Sequence, residues 1–209
     1  MYVFDRFCMK KIFWLRNQKI TYIWSCPECH GEFRATINDM MTETASCPYC
    51  NDRRVLPGYN SLAVKQPEIA KMWSSKNAKS ADEVLYKAYE TALWACNECH
   101  GEFRARIREM ITGEVECPYC NDRKVLAGFN SFAAKHKDLL TEWDYVSNYI
   151  LADPDQILDS CVLPVWWTCS ENSEHKYTMS PAKRILFQKR RKKSCPYCKG
   201  RRRKKRHFI

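Results

Sequence analysis

Thirteen cysteines in 209 residues carry the chemistry of this chain, and eleven of them fall into one pattern. The phrase Cys-Pro-Tyr-Cys occurs three times, at Cys47 to Cys50, Cys117 to Cys120 and Cys195 to Cys198. The first two are each preceded by another Cys-x-x-Cys, Cys26 with Cys29 and Cys96 with Cys99. Seventeen residues separate the pairs both times. A Cys-x-x-Cys turn offers two thiolates to one cation, and two such turns complete the tetrahedral set that Zn²⁺ takes. The third copy lacks the first pair, but Cys169 and His175 stand in its place ahead of Cys195 and Cys198. The expectation is three structural Zn²⁺ per chain. Only Cys8 and Cys161 are left over, and both are read as packing thiols. Cys161 lies among Ile157, Leu158, Val162 and Leu163, where a small hydrophobe fits.

Two other uses of cysteine compete. Cys-Pro-Tyr-Cys is also a redox motif of the glutaredoxin type, which works by depressing one thiol pKa. Such a motif has no reason to recur three times, twice at a set distance from a second pair, and thioredoxin-like apolar strands are missing around it. A disulfide framework suits a secreted chain, yet residues 1–25 do not read as a signal peptide. Charges fall there at Asp5, Arg6, Lys10, Lys11 and Arg16. No apolar run is long enough to span a membrane. A reducing compartment is expected, cytoplasmic or, in a nucleated host, nuclear, with no membrane partner.

The elements that must hold these ligands repeat with them. Residues 24–73 and 94–143 are identical at 28 of 50 positions, a period of 70. The reading divides the chain into an extension (1–23), two zinc repeats with connectors (24–93 and 94–166), a truncated third repeat (167–200) and a basic tail (201–209). Trp24 enters on a short strand, Thr21 to Ser25, and Gly31 frees the backbone of the first knuckle. Phe33, Ala35 and Ile37 alternate, as do Phe103, Ala105 and Ile107, which predicts a half-buried strand closing a hairpin. After the second knuckle, Asn60-Ser61 and Asn130-Ser131 read as helix N-cap signals. Leu62 to Lys65 then form a helical turn. Pro67 opens a second helix carrying Ile69, Met72 and Trp73. Asp82 to Leu93 corresponds to Asp153 to Trp166, with a turn at Asp153-Pro154-Asp155. Trp73, Trp94, Trp143 and Trp167 are read as core plugs. A unit this poor in apolar residues buries little, so zinc binding must supply much of its folding free energy, on the order of 10 kcal/mol or more per site.

The net charge of +11 is concentrated at one end. Residues 183–209 hold 14 Lys or Arg and no acid, which leaves 1–182 net negative at −3. Each all-cysteine site carries −2 once metallated and the mixed site −1, taking the formal +11 to about +6. The excess lies in Lys189, Arg190, Arg191, Lys192 and Lys193 before the last knuckle. It continues in Arg201, Arg202, Arg203, Lys204, Lys205 and Arg206 after it. Runs like these attract polyanions by counterion release and read no sequence. Within the repeats, Arg34 and Arg104 sit on the hairpin strand, with Arg104, Arg106 and Arg108 expected on one face. Arg53, Arg54, Arg123 and Lys124 follow the knuckles, near amides expected to be open to phosphate. His30 and His100 are redundant beside four thiolates and read as surface residues.

The ordered phrase Trp-x-Cys-x-x-Cys, Phe-x-Ala-x-Ile, Cys-Pro-Tyr-Cys-x-x-Arg, Val-Leu-x-Gly-x-Asn-Ser and closing Trp resembles a family of zinc-ribbon repeats catalogued as a domain of unknown function. That family is similar to treble-clef zinc fingers. Trp166-Trp167-x-Cys169 and His175-x-Tyr177 match its variant with histidine for one cysteine. The resemblance covers roughly residues 20–200. It implies a small zinc-stabilised α+β fold: tandem treble-clef-like zinc-binding repeats of zinc knuckle, β-hairpin, second knuckle and short helices. It also implies nucleic-acid binding, often beside nuclease domains in bacteria, phages and mobile elements. No such domain is read in this chain, so no activity carries over.

Nor do the residues form a catalytic set. The five histidines make no His-Asn-His arrangement, and no Pro-Asp with Asp/Glu-x-Lys stands ready for Mg²⁺. Four-ligand sites leave no open coordination position. The expectation is a non-enzymatic zinc protein that binds nucleic acid, DNA ahead of RNA, with a nuclease or other element-encoded protein as a further partner. The rival is a zinc-stapled protein–protein adapter.

Overall fold

A short antiparallel strand pair recurs three times in the computed structural model, which describes residues 20–200. Cys8 and the basic run from Arg201 to Arg206 lie outside the described residues. Strand β1 (Thr21–Ser25) pairs antiparallel with β2 (Glu32–Thr36), with Trp24 opposite Phe33. β3 (Thr91–Ala95) pairs with β4 (Glu102–Arg106), Trp94 opposite Phe103. β5 (Val165–Thr168) pairs with β6 (Lys176–Met179), Trp167 opposite Tyr177. The period of two does what the sequence implies: Phe33 and Ala35 are buried while Arg34 is exposed, and Phe103 and Ala105 repeat this around Arg104. Each hairpin is pinned by the same cross-strand bond. The indole N–H donates to the Ala35 carbonyl from Trp24, to Ala105 from Trp94 and to Met179 from Trp167, at 2.8–3.0 Å.

The strands end sooner than the alternation suggests. Ile37 opens helix α1 (Ile37–Met41), and Ile107, itself fully buried, opens the equivalent α4 (Ile107–Thr112). The capping chemistry explains this. Thr36 Oγ1 accepts from the Asp39 amide, and the Glu109 carboxylate accepts from the Arg106 amide. The expected one-faced row of arginines is therefore corrected: Arg104 and Arg106 are on β4, but Arg108 is on α4 and packs over the Tyr89 ring.

Two units pack separately. The first comprises residues 20–97 with 102–115. It contains the hairpins β1–β2 and β3–β4, α1, α2 (Leu62–Lys65), α3 (Pro67–Ala70) and α4. Helix α3 is shorter than expected, so Met72 and Trp73 lie beyond it. There Trp73 bridges Trp94, their rings edge to face at 5.3 Å, while the Ala95 amide donates to Met72. The closing tryptophan of one repeat thus covers the opening hairpin of the next.

The second unit, residues 98–101 with 116–200, does the same. It holds α5 (Phe132–Lys135), a 3-10 turn (Lys137–Glu142), α6 (Tyr145–Asn148), the β5–β6 hairpin and α7 (Pro181–Lys189). Trp143 meets Trp167 edge to face at 5.2 Å, inside a core with Phe132, Leu139, Val165 and Tyr177. The core-plug reading holds for Trp94, Trp143 and Trp167, which are buried; Trp73 is half-buried. The packing reading of Cys161 is corrected, since Val162 and Leu163 beside it are exposed and Cys161 is half-buried at a turn. Among the described residues no helix is long and apolar enough to cross a membrane.

Candidate metal centres and a basic groove

The first knuckle is built by local hydrogen bonds at the end of a strand. After β1, the Cys26 amide donates to the Gly31 carbonyl and the His30 amide to the Cys26 carbonyl. This closes the loop on its two sulfurs. His30 takes the left-handed backbone conformation, φ +56°, with its side chain exposed, and His100 does the same. The histidines, rather than the glycines, make the tight turn. Gly31 serves another purpose: a Cβ there would stand 2.5 Å from the Tyr49 ring. The tyrosine of the second knuckle packs against the glycine of the first, and its hydroxyl donates to the Glu32 carbonyl. Gly101 and Tyr119 repeat the 2.5 Å approach.

The second knuckle is clasped from behind by a residue with a different role from the one expected. Asn60 is fully buried and is not the helix cap; Ser61 occupies that position. The Asn60 carboxamide accepts from the Leu56 amide and donates to the Tyr49 and Arg54 carbonyls. Asn130 makes the matching bonds to Leu126, Tyr119 and Lys124. Three polar backbone groups and one side chain satisfy each other away from water, the arrangement a buried amide requires. The repetition of Asn at both positions was its sequence signal.

Three ligand sets result. Cys26, Cys29, Cys47 and Cys50 form the first, and Cys96, Cys99, Cys117 and Cys120 the second. Cys169, His175, Cys195 and Cys198 form the third, the ligand atoms of each set lying within 4.8 Å of one another. Sulfur separations are 3.5 Å for Cys29–Cys47 and Cys99–Cys117 and 3.6 Å for Cys26–Cys50 and Cys169–Cys198. Those are too long for disulfides, at about 2.05 Å, and close to the roughly 3.8 Å between thiolates on a tetrahedral Zn²⁺. In the third set His175 presents Nδ1, 3.8 Å from Cys195 Sγ and 3.6 Å from Cys198 Sγ. The Cys169 amide donates to the His175 carbonyl, so His175 occupies the place Gly31 has in the first repeat. Tyr197 then stacks on the imidazole at 5.0 Å.

The thiols of one set cannot all ionise without a cation. The Cys29 amide draws the Cys26 thiol down to about 7. Cys50, although helped by the Tyr59 hydroxyl, is driven by burial and by Cys26, Cys29 and Cys47 up to about 12. In the third set burial opposes ionisation of Cys169, but the Glu171 and Asn172 amides hold it below the ordinary thiol value. Burial and the neighbouring Cys169 and Cys195 push Cys198 up to about 12. A divalent cation resolves this conflict, since it accepts all four ligands as anions or neutral imidazole. The donor sets fit three structural Zn²⁺.

The expected polyanion residues are placed as follows. Arg34, Arg53 and Arg54 line one groove of about 740 Å³ beside the first ligand set, with Glu32, Asp39 and Pro48. The Asp39 carboxylate there already accepts from the Thr36 hydroxyl. The open amides expected after the knuckles are corrected: those of Arg53 and Arg54 both donate to the Pro48 carbonyl, and those of Arg123 and Lys124 to Pro118. Only the side chains remain for a ligand. Arg104, Arg106, Arg108, Arg123 and Lys124 are exposed, as are Lys189, Arg190, Arg191, Lys192 and Lys193. Arg191, Lys192 and Lys193 border a cleft of about 240 Å³ at the third set, where Lys193 pairs with Glu171 at 2.9 Å. Arg184, counted in the basic C-terminal excess, is not free: it is buried, bonded to Glu142 at 2.6 Å and set over Trp167.

Residues 10–53, 69–123 and 139–201 match the family described as a Probable Treble clef zinc finger domain. The second and third matched segments begin ahead of Trp73 and Trp143, so each takes a closing tryptophan together with the hairpin it covers. The chain is also 29% identical over 135 residues to Uncharacterized protein R635 of Acanthamoeba polyphaga mimivirus. That alignment covers 62% of this chain and 32% of the viral protein, about a third of its length.

Proposed function

The chain belongs to the probable treble clef zinc finger family, and from that premise we propose that it is a non-enzymatic, zinc-dependent nucleic-acid-binding protein that favours DNA over RNA. The observation that supports this best is the convergence of Arg34, from β2, with Arg53 and Arg54, from behind the second knuckle, on one open groove. Guanidinium groups from separate elements, fixed by a metal-stapled loop, suit the spaced oxygens of a phosphate backbone. The exposed cations from Lys189 to Lys193 and the tail from Arg201 to Arg206 add non-specific attraction. The four-ligand donor sets support a structural use of zinc, since none has a coordination position to spare for a substrate.

The test is fluorescence anisotropy of zinc-loaded protein with duplex DNA, single-stranded DNA and RNA across a salt series. Duplex DNA is expected to bind tightest, with a steep negative slope of log K against log salt. Joint replacement of Arg34, Arg53 and Arg54 by Ala should weaken binding about tenfold or more and reduce the slope by up to about 0.9 per lost phosphate contact. Equal binding by that variant would move recognition elsewhere, and no binding by the intact protein would end the nucleic-acid reading.

A further inference from the structure

The connector of the second unit carries a cluster of outward-facing apolar side chains that the fold itself does not require. Tyr145 is 57% exposed, Val146 86%, Tyr149 89%, Ile150 93% and Leu151 49%. Tyr145 with Tyr149, and Val146 with Ile150, stand four residues apart on and just beyond α6, so they form two adjacent ridges of one helical turn. Singly exposed hydrophobes are ordinary; five within seven residues mark a contact surface.

The internal repeat supplies a comparison. In the first connector Asn77 exchanges two hydrogen bonds with the Leu93 backbone. In the second, Asn148 exchanges the same two with Trp166. The anchors correspond, yet around Asn77 the exposed positions are Ser75, Lys76, Ala78, Lys79 and Ser80. The same asparagine anchor is thus flanked by exposed small or charged residues in one copy and by large apolar ones, on a helical turn, in the other. Packing within the repeat does not ask for Val146, Tyr149 or Ile150.

Charge identifies what they meet. From Asp138 to His175 the chain has eight acids and no Lys or Arg. Glu142, Asp144, Asp159 and Glu171 pair with Arg184, Lys176, Lys135 and Lys193, whereas no ion pair engages Asp153 or Asp155 among the described residues. Asp153 and Asp155, just past Leu151, are exposed. Lys176 is the nearest following cation in sequence and is engaged by Asp144 at 2.7 Å. An apolar ridge in an acidic stretch repels a phosphate backbone and suits an amphipathic segment with basic flanks. We propose that Tyr145, Val146, Tyr149, Ile150 and Leu151 form a docking surface for a basic amphipathic helix of a partner protein. This surface shares no residue with the arginine groove, and its use stands whether or not the nucleic-acid reading does.

The probe is a labelled 16-residue helical peptide with one leucine face and lysines elsewhere, titrated by anisotropy against the zinc-loaded full chain. Two controls accompany it: the same peptide with Glu for Lys, and a Lys/Ser peptide with no apolar face. Both should bind at least tenfold more weakly than the probe. Joint Val146→Ser, Tyr149→Ser and Ile150→Ser should weaken the probe tenfold or more while three zinc ions per chain are retained. Asp153→Asn should weaken it several-fold without touching the apolar ridge. If the triple variant loses metal, Tyr149→Ser alone serves as the test and should weaken the probe several-fold. The proposal is overturned if the ridge variants bind the probe like the wild type, or if either control peptide binds as tightly as the probe. It also fails if sedimentation shows wild-type dimers that the variants abolish, which makes a second copy the occupant. A loss of oligonucleotide rather than peptide affinity in the variants would overturn it equally.

Discussion

A single methyl group is enough to test how the two knuckles of a zinc site hold each other. Gly31 has room for no Cβ because Tyr49 lies 2.5 Å from where it would stand, and Gly101 is under the same constraint from Tyr119. Gly31→Ala should push the tyrosine ring off its seat, lower Tm and speed zinc loss to a competing chelator. Gly58→Ala is a useful contrast, since φ is +77° there with open space around it. It should cost only about 1 kcal/mol and leave zinc kinetics unchanged. Asn60 and Asn130 set the second test. Replacing either by Ala strands buried amide and carbonyl groups, for a loss of roughly 3 kcal/mol or more. Urea unfolding of Asn130→Ala should show a drop of that size; a change under 1 kcal/mol would mean that water replaces the clasp.

At the scale of elements, helix α6 is capped by Asp144, whose carboxylate accepts from the Ser147 amide and hydroxyl. Burial opposes its ionisation, but Lys176 and Ser147 outweigh this and hold the carboxyl below its ordinary range. A depressed carboxyl contributes stability that is complete above the unfolded value of about 3.9 and is lost as pH falls through the folded value. Asp144→Asn should therefore be less stable than wild type by a constant margin from about pH 8 to 5. The margin should close only at more acid pH. A margin that already shrinks between pH 8 and 6, read from paired thermal melts, would assign the effect to another group. The tryptophan pairs carry the other prediction at this scale. Trp143→Ala removes a buried ring from Trp167 and should cost about 3–5 kcal/mol. Zinc at the third site should loosen with it, because β5 leads directly into Cys169.

For the whole molecule, native mass spectrometry should find three Zn²⁺ per chain, and two would eliminate the Cys169, His175, Cys195 and Cys198 site. Cys161→Ala should leave the count at three, since Cys161 belongs to no ligand set among the described residues. Replacing Arg201, Arg202, Arg203, Lys204, Lys205 and Arg206 by Ala should leave zinc content alone. It should flatten the salt dependence of nucleic-acid binding by several units, at about −0.9 per phosphate contact. Unchanged binding would assign recognition to the repeats.

The sequence by itself determined the ligands, their grouping and the strands that carry Trp24 and Trp94, because metal coordination and a period of two are local constraints that spacing records. It also determined the existence of α2 at Leu62–Lys65. What it left open depends on contacts between distant residues. Ile37 and Ile107 continue an alternation that reads as strand, and only the capping bonds and the burial of Ile107 turn the chain into helix there. Gly31 looks like a turn residue until Tyr49, eighteen positions on, is found against it. Asn60 looks like a cap until its three bonds to the second knuckle are seen. The repeat of 70 residues is plain in the sequence. That Trp73 covers Trp94 and Trp143 covers Trp167 was decided by the tertiary structure, since buried area, unlike coordination, is settled only by what packs on what.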